Sequence, residues 1–220
     1  MLEKGFISTV EFPDPRLSWA EGLVAVGGVP DVGTLYHAYR RGIFPWPQEG
    51  VPMLWFCPEE RGVLFFEELH VPRRLKSAMK DSGLRFSMNE AFEQVIHACR
   101  HQVRPGQAGT WILPEIEEAY RRFHQAGFAH SFEAWRGDRL VGGLYGVLVE
   151  GAFSGESMFH TETDASKKVL LHAIEHLQNE GHEWMDTQMV TPVVASFGGR
   201  LIPKSEYLRL LKERQQRSQS

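Results

Sequence analysis

The chain has 220 residues, 42% of them hydrophobic, and a formal net charge of −4, enough apolar material for a globular protein of one large domain or a domain with a small companion. No uncharged apolar run of about eighteen residues occurs, so a membrane-spanning helix is not expected. The opening stretch MLEKGFISTVEF lacks the basic flank and apolar core of a signal peptide, and Cys57 and Cys99 imply no disulfide framework, which together point to the cytoplasm.

In chain order, the first 60 residues hold four Lys/Arg against eight Asp/Glu, whereas the rest is balanced at twenty of each. This acidic segment is crowded with Pro, Gly and aromatics, as suits a small loop-rich α+β unit, and its helical passage Asp31-VGTLYHAYRRG places Leu35, Ala38 and Tyr39 on one face with Gly42 at its end. Regular elements begin near Arg61, so the expected domains are 1–60 and 61–220. GVLFFEELHV reads as a strand running into Pro72, and the helix that follows sets Arg73, Lys76 and Lys80 opposite Leu75, Ala78 and Met79. A helix over 89–101, a Gly/Pro-bearing loop with Trp111 and an amphipathic helix from Pro114 come next. HSFEAW and LVGGLYGVLV form a hairpin around Arg136-Gly-Asp138, and AFSGESMF extends the meander. A helix from about Asp164, the strand EWMDTQMV, a short helix at Thr191-Pro192, a strand at Leu201-Ile202 and a helix over 205–216 complete an α/β arrangement, a mixed sheet with helices on both faces.

Alternation along EWMDTQMV puts Asp186 and Gln188 on one side and Thr187 on the other, and Glu156 joins them if the two strands are neighbours. The pairs His97/His101 and His172/His176 have helical spacing but no evident third ligand, so no metal site is expected. G-x-x-x-x-G-K-[ST], G-x-G-x-x-G and G-x-S-x-G are all missing, which argues against phosphate-loop, dinucleotide and serine-hydrolase chemistry. The meander and helix resemble the acyl-CoA N-acetyltransferase fold, but the turn that would hold pyrophosphate reads HTETDAS, with two acids and no glycine. Such a turn would repel pyrophosphate, so acetyl-CoA is not the expected donor.

The strings Gly42-Ile-Phe-Pro-Trp46, Leu54-Trp55 with Pro58, Gly109-Thr-Trp-Ile112, Gly142-Gly143 with Tyr145-Gly-Val147, Gly155-Glu-Ser-Met-Phe159, Ala165-Ser-Lys167 and Asp186-Thr-Gln188 occur in that order. Their combination resembles the bacterial leucyl/phenylalanyl-tRNA protein transferases over nearly the whole chain. The resemblance implies a small N-terminal domain joined to an acetyltransferase-like domain. It also implies transfer of Leu or Phe, with Met a further possible donor, from aminoacyl-tRNA to the N-terminal Arg or Lys of proteins, marking them for N-degron degradation. The enzyme is expected to act as a monomer away from membranes, and an activated ester donor needs no cofactor. Asp186 is then expected to hold and help deprotonate the acceptor amine, with Gln188 positioning it. Leu144, Phe153, Met158 and Phe159 would form the aminoacyl slot beside Glu156, Trp46 or Trp111 would stack the terminal adenosine, and Arg73, Lys76 and Lys80 would meet tRNA phosphates. Two alternatives are a peptidoglycan-bridge aminoacyltransferase, disfavoured by the Trp-rich N-terminal unit, and a tRNA- or peptide-binding module without catalysis, disfavoured by the intact Asp186 and Gln188.

Overall fold

The structure, a computed structural model, describes residues 6–80, 82–103 and 110–218, the Lys80 side chain excepted. Strands β1 (Leu23–Val26), β2 (Phe44–Pro45) and β3 (Leu54–Phe56) form a three-stranded sheet in the order β1-β3-β2. Beside it lies α1 (Val32–Tyr39), whose first turn is capped by the Asp31 carboxylate accepting from the Thr34 N–H at 2.8 Å. Gly42, just past the helix, has φ +74°, and a Cβ there would stand 2.6 Å from Cε1 of Tyr207. Backbone conformation and close approach both require glycine at this point.

From Glu60 onward the chain builds a seven-stranded sheet from β4 (Glu60–Phe65), β5 (Arg85–Met88), β6 (Ala129–Arg136), β7 (Arg139–Val149), β8 (Ala152–His160), β9 (Trp184–Gln188) and β10 (Arg200–Pro203). Their order is β10-β4-β9-β8-β7-β6-β5, antiparallel throughout except for β8 with β9. A parallel neighbour requires a crossover, and α5 (Ala165–Asn179) supplies it. Its buried Val169, Leu170, Ala173, Ile174 and Leu177 pack on one face of the sheet with Phe132, Leu144, Phe153 and Met185. On the opposite face, α3 (Phe92–His101) and α4 (Pro114–Gln125) contribute Val95, Ile96, Ile116, Tyr120 and Phe123 to a core that continues into Leu35, Tyr39 and Trp55 of the first 60 residues. The C-terminal α7 (Lys204–Ser218) brings Tyr207 and Leu211 against β4, β9 and β10.

Three features differ from the sequence reading. Strand β4 begins at Glu60 and stops at Phe65, because the chain turns away and the His70 N–H donates to the carbonyl of Phe197, at the end of α6 (Pro192–Ser196). The edge strand β5 is additional, a four-residue segment paired with β6 and too short to show a clear period. Strand β9 ends at Gln188, whose φ of +58° takes the chain out of the sheet before Met189 and Val190. The basic helix is α2 (Arg73–Lys80), with Leu75 buried and Arg73 and Lys76 exposed.

Candidate active site

Strands β8 and β9 are in register at one pair, Ser154 with Asp186, and the site lies where they part. Both carry a bulge at that point. Adjacent Tyr145 and Gly146 on β7 face Ser157 and Gly155, so Glu156 is an extra residue in β8. Adjacent Gly62 and Val63 on β4 face Gln188 and Asp186, so Thr187 is the extra residue in β9. A bulge re-aims a side chain out of the regular alternation, and here two of them open the seam between the strands. The second depends on Gly62, where a Cβ would lie 2.7 Å from the backbone carbon of Met189.

Asp186 is 0% exposed and saturated. Its Oδ1 accepts from Arg61 Nε and the Gln188 N–H, both at 2.8 Å, and its Oδ2 accepts from Arg61 Nη2 at 2.6 Å, the Tyr207 hydroxyl at 2.9 Å and the Ser154 hydroxyl at 3.0 Å. Five donors leave a carboxylate little capacity for a sixth. The resemblance implied that Asp186 holds the acceptor amine; in the structure all five of its donors belong to the protein. Its partner Arg61 is 1% exposed and lies between the rings of Phe44 and Tyr207, 4.6 and 4.5 Å from their centroids. Asp186 thereby ties β9 to β4, to α7 and to the Gly42-Ile-Phe-Pro-Trp segment.

Glu156 has a different environment. The Gln188 carboxamide donates from Nε2 to its Oε1 at 2.8 Å, and the Tyr120 hydroxyl donates to its Oε2 at 3.3 Å. The Tyr39 hydroxyl in turn donates to the hydroxyl oxygen of Tyr120, so the two phenols form a relay that ends on Glu156. Burial pushes the Glu156 carboxyl up from 4.5, the nearby Tyr39 hydroxyl and the hydrogen bond from Gln188 pull it back, and the nearby Asp186 charge adds to the rise against that of Arg61. The balance is about 7. Burial, followed by the Glu156 charge, holds both phenols well above their usual range, so they remain protonated donors.

A cavity of about 220 Å³ opens at this seam, lined on its apolar side by Leu144, Met158, Leu170, Met185, Met189 and Val194. Its polar lining is Glu156, Ser157, Thr187 and Thr191, among which Glu156 alone is ionisable. Trp46 and Trp111 complete the wall as a stacked pair, centroids 5.9 Å apart and rings inclined by 11°. A carboxyl poised near neutrality beside an apolar slot and a flat aromatic surface can take a proton from a group brought alongside a bound apolar ligand.

Of the residues the sequence pointed to, Leu144, Met158, Glu156, Trp46 and Trp111 line the cavity. Phe159 and Phe153 do not. Phe159 is buried against α3, its ring occupying the space over Gly143, and Phe153 packs on Phe132 and lines a separate cavity with His130 and His176. Gln188 is buried, like Asp186, and reaches the cavity through Glu156. Arg73 and Lys76 are exposed on α2, while the side chain of Lys80, and Gly109, lie outside the described residues. Sequence reasoning missed Arg61, Tyr207, Tyr39 and Tyr120, which sit far along the chain from D-x-Q, and also Met185 and Met189. Those two methionines were legible as the odd-numbered flank of Asp186 and Gln188, had the apolar side of the strand been read for a ligand rather than for core.

Comparisons with known proteins agree over most of the chain. The family model for leucyl/phenylalanyl-tRNA protein transferase matches residues 63–212, and the one for that protein's N-terminal domain matches residues 28–59. A protein of Anaeromyxobacter sp. (strain K) named leucyl/phenylalanyl-tRNA–protein transferase is 48% identical over 200 residues, 91% of this chain and 86% of that one. Proteins of the same name from Methylococcus capsulatus and Pectobacterium carotovorum are 47% identical over 91% of this chain and 46% identical over 93% of it, covering 85% and 87% of their own lengths. Among solved structures, L-PGS from Bacillus licheniformis superposes with a TM-score of 0.42 at 12% identity, covering 70% of this chain and 50% of that one, a likeness too loose to carry an argument.

Proposed function

The chain belongs to the leucyl/phenylalanyl-tRNA protein transferase family, and from that premise we propose how its site carries out aminoacyl transfer from Leu- or Phe-tRNA to the N-terminal Arg or Lys of a protein. The observation that carries this reading is the cavity at the seam between β8 and β9, where one ionisable group, an apolar slot and a stacked tryptophan pair meet. The Leu or Phe side chain enters among Leu144, Met158, Leu170 and Met185, and the terminal adenosine of the tRNA lies on Trp46 and Trp111. Arg73, Lys76 and Lys80 meet phosphates further along the tRNA.

The donor ester is already activated, so the chain has to orient two reactants and remove protons. The acceptor is an α-ammonium of reference pKa about 8, and Glu156, at about 7, is matched to take its proton where an ordinary carboxylate would be a poor base. Gln188 positions the amine through its carboxamide oxygen while its Nε2 stays on Glu156. Asp186 acts as a positioning residue, since it fixes the backbone N–H at which Gln188 turns out of the strand. The freed amine nitrogen bonds to the ester carbonyl carbon, and the bond from that carbon to the ribose oxygen breaks. The leaving oxygen takes the nitrogen's second proton, directly or through the neighbouring ribose hydroxyl, and Glu156 returns its proton to solvent. Orientation of the reactants supplies a large share of the acceleration.

This reading extends to a division at about residue 60, with an acetyltransferase-like unit following a small N-terminal one, and to a role in marking proteins for degradation. The three-stranded sheet lies wholly before Glu60, and the seven-stranded sheet begins there. Purified protein given labelled Phe-tRNA and two peptides differing only in N-terminal Arg or Ala should label the Arg peptide alone. Labelling of neither peptide, or of both equally, contradicts the proposal.

A further inference from the structure

The transfer reaction as described leaves two buried phenols unused. Tyr39 is 5% exposed and Tyr120 0%, yet their hydroxyls are hydrogen-bonded to one another, and that of Tyr120 to Glu156, rather than turned to solvent or to a backbone carbonyl. They arrive from two helices separated by 81 positions in sequence, α1 and α4. Packing would be equally well served by phenylalanine, as at Phe123, whose ring stacks on Tyr39 at 6.2 Å. A buried hydroxyl is costly unless it is partnered, and the partner chosen here is the one ionisable group of the cavity.

We propose that Tyr39 and Tyr120 are positioning residues that hold the Glu156 carboxylate toward the cavity and set how readily it accepts the proton of the incoming ammonium. An α-helix of the first 60 residues thereby tunes a step carried out at the large sheet. The proposal rests on the reading of Glu156 as the proton acceptor. The physical basis is that a phenol can donate to a carboxylate but gains nothing comparable from the protonated acid, so each bond favours the charged form. The other groups around Glu156 are Gln188 and behind it Asp186 on β9, Arg61 on β4 and Tyr145 on β7, whose ring meets that of Tyr120 at 5.6 Å. Gln188 donates to the carboxyl, while Arg61 and Asp186 carry opposite charges already joined to each other. That leaves Tyr120, backed by Tyr39, and Gln188 as the donors to Glu156 among the described residues.

The test is the pH dependence of kcat/KM for an N-terminal Arg peptide at saturating Phe-tRNA, from pH 5.5 to 8.5, in the wild type, Tyr39→Phe, Tyr120→Phe and Glu156→Gln. Each Phe variant keeps the ring and loses one hydroxyl, and unfolding in urea checks that the fold is retained. Loss of a donor moves the acid limb to higher pH, so activity at pH 6 should fall about threefold to tenfold, with the deficit shrinking toward pH 8.5. Glu156→Gln should lose the limb near pH 7, its residual rate rising instead with the free-amine fraction of the acceptor, which has a reference pKa of about 8. If Glu156→Gln loses the limb but the Phe variants leave it in place, whether unchanged in rate or slowed equally at every pH, the tyrosine proposal is overturned and the proton acceptor stands. If Glu156→Gln keeps the wild-type limb, the assignment of Glu156 itself is overturned, and the tyrosine proposal with it.

Discussion

Asp186 and Glu156 are two carboxylates on one hydrogen-bonded chain, joined through the backbone and side chain of Gln188, and they are provisioned in opposite ways. Asp186 has an arginine and three further donors around it and no exposure, whereas Glu156 has neutral donors, a place on the cavity wall and a carboxyl pushed up to about 7. The difference separates two tasks that the short motif D-x-Q merges. A carboxylate that holds three elements together is neutralised and saturated, and the one assigned proton exchange under the proposed function has neutral donors alone and borders the cavity.

The largest effect expected from breaking this contrast is at the saturated end. Asp186→Ala leaves Arg61 charged and buried without its partner, which should cost about 3–5 kcal/mol in urea unfolding. In protein that remains folded, transfer should also fall by at least about tenfold, because the turn at Gln188 is released. A stability within 1 kcal/mol of wild type, roughly the value of an exposed pair, would show that the network is not a structural clasp.

Glu156→Gln should behave in the reverse sense. Transfer at pH 7 should drop about 100-fold, within the range for losing a positioned acid–base group, while the fold survives. Its stability should also respond to pH differently from wild type. The folded-state value of Glu156 lies above its ordinary 4.5, so the folded state binds the extra proton between those limits. Wild-type stability from this group is therefore fully present below about pH 4.5 and is lost as pH rises through about 7. Glu156→Gln should escape that loss and gain on the order of 1–3 kcal/mol relative to wild type between pH 4.5 and 8, measured by urea unfolding at both pH values.

The smallest effect concerns a region outside the pair. Replacing Arg73, Lys76 and Lys80 with Glu should raise the KM for aminoacyl-tRNA and flatten its salt dependence by about one to three in log–log slope, leaving the acid limb of the pH profile where it was. An unchanged salt slope would return α2 to the role of a solvated helix face.

Much of this arrangement was legible in the sequence because local signals state it. The amphipathic period fixed α4 and α5, and the turn residues fixed the β6-β7-β8 meander. The contact of Gln188 with Glu156 followed once β8 and β9 were taken as neighbours. What alternation conceals is the bulge: one extra residue at Glu156 and another at Thr187 redirect the side chains at the seam, and no local composition announces them. The aromatic slot was overfilled for the same reason, since Phe153 and Phe159 lie on the strand that leads into the bulge but are spent on opposite cores. Saturation of Asp186 was out of reach because its donors come from Arg61, Ser154 and Tyr207, which only the tertiary fold assembles.

The most direct measurement is the titration of the Glu156 carboxyl itself, by isotope-edited infrared difference spectra of wild type against Glu156→Gln with 13C-labelled glutamate. The account predicts a carboxyl band lost and a carboxylate band gained with a midpoint near pH 7. A midpoint at the ordinary glutamate value of about 4.5 would contradict it, because Glu156 would then be too weak a base to take the proton of the acceptor amine.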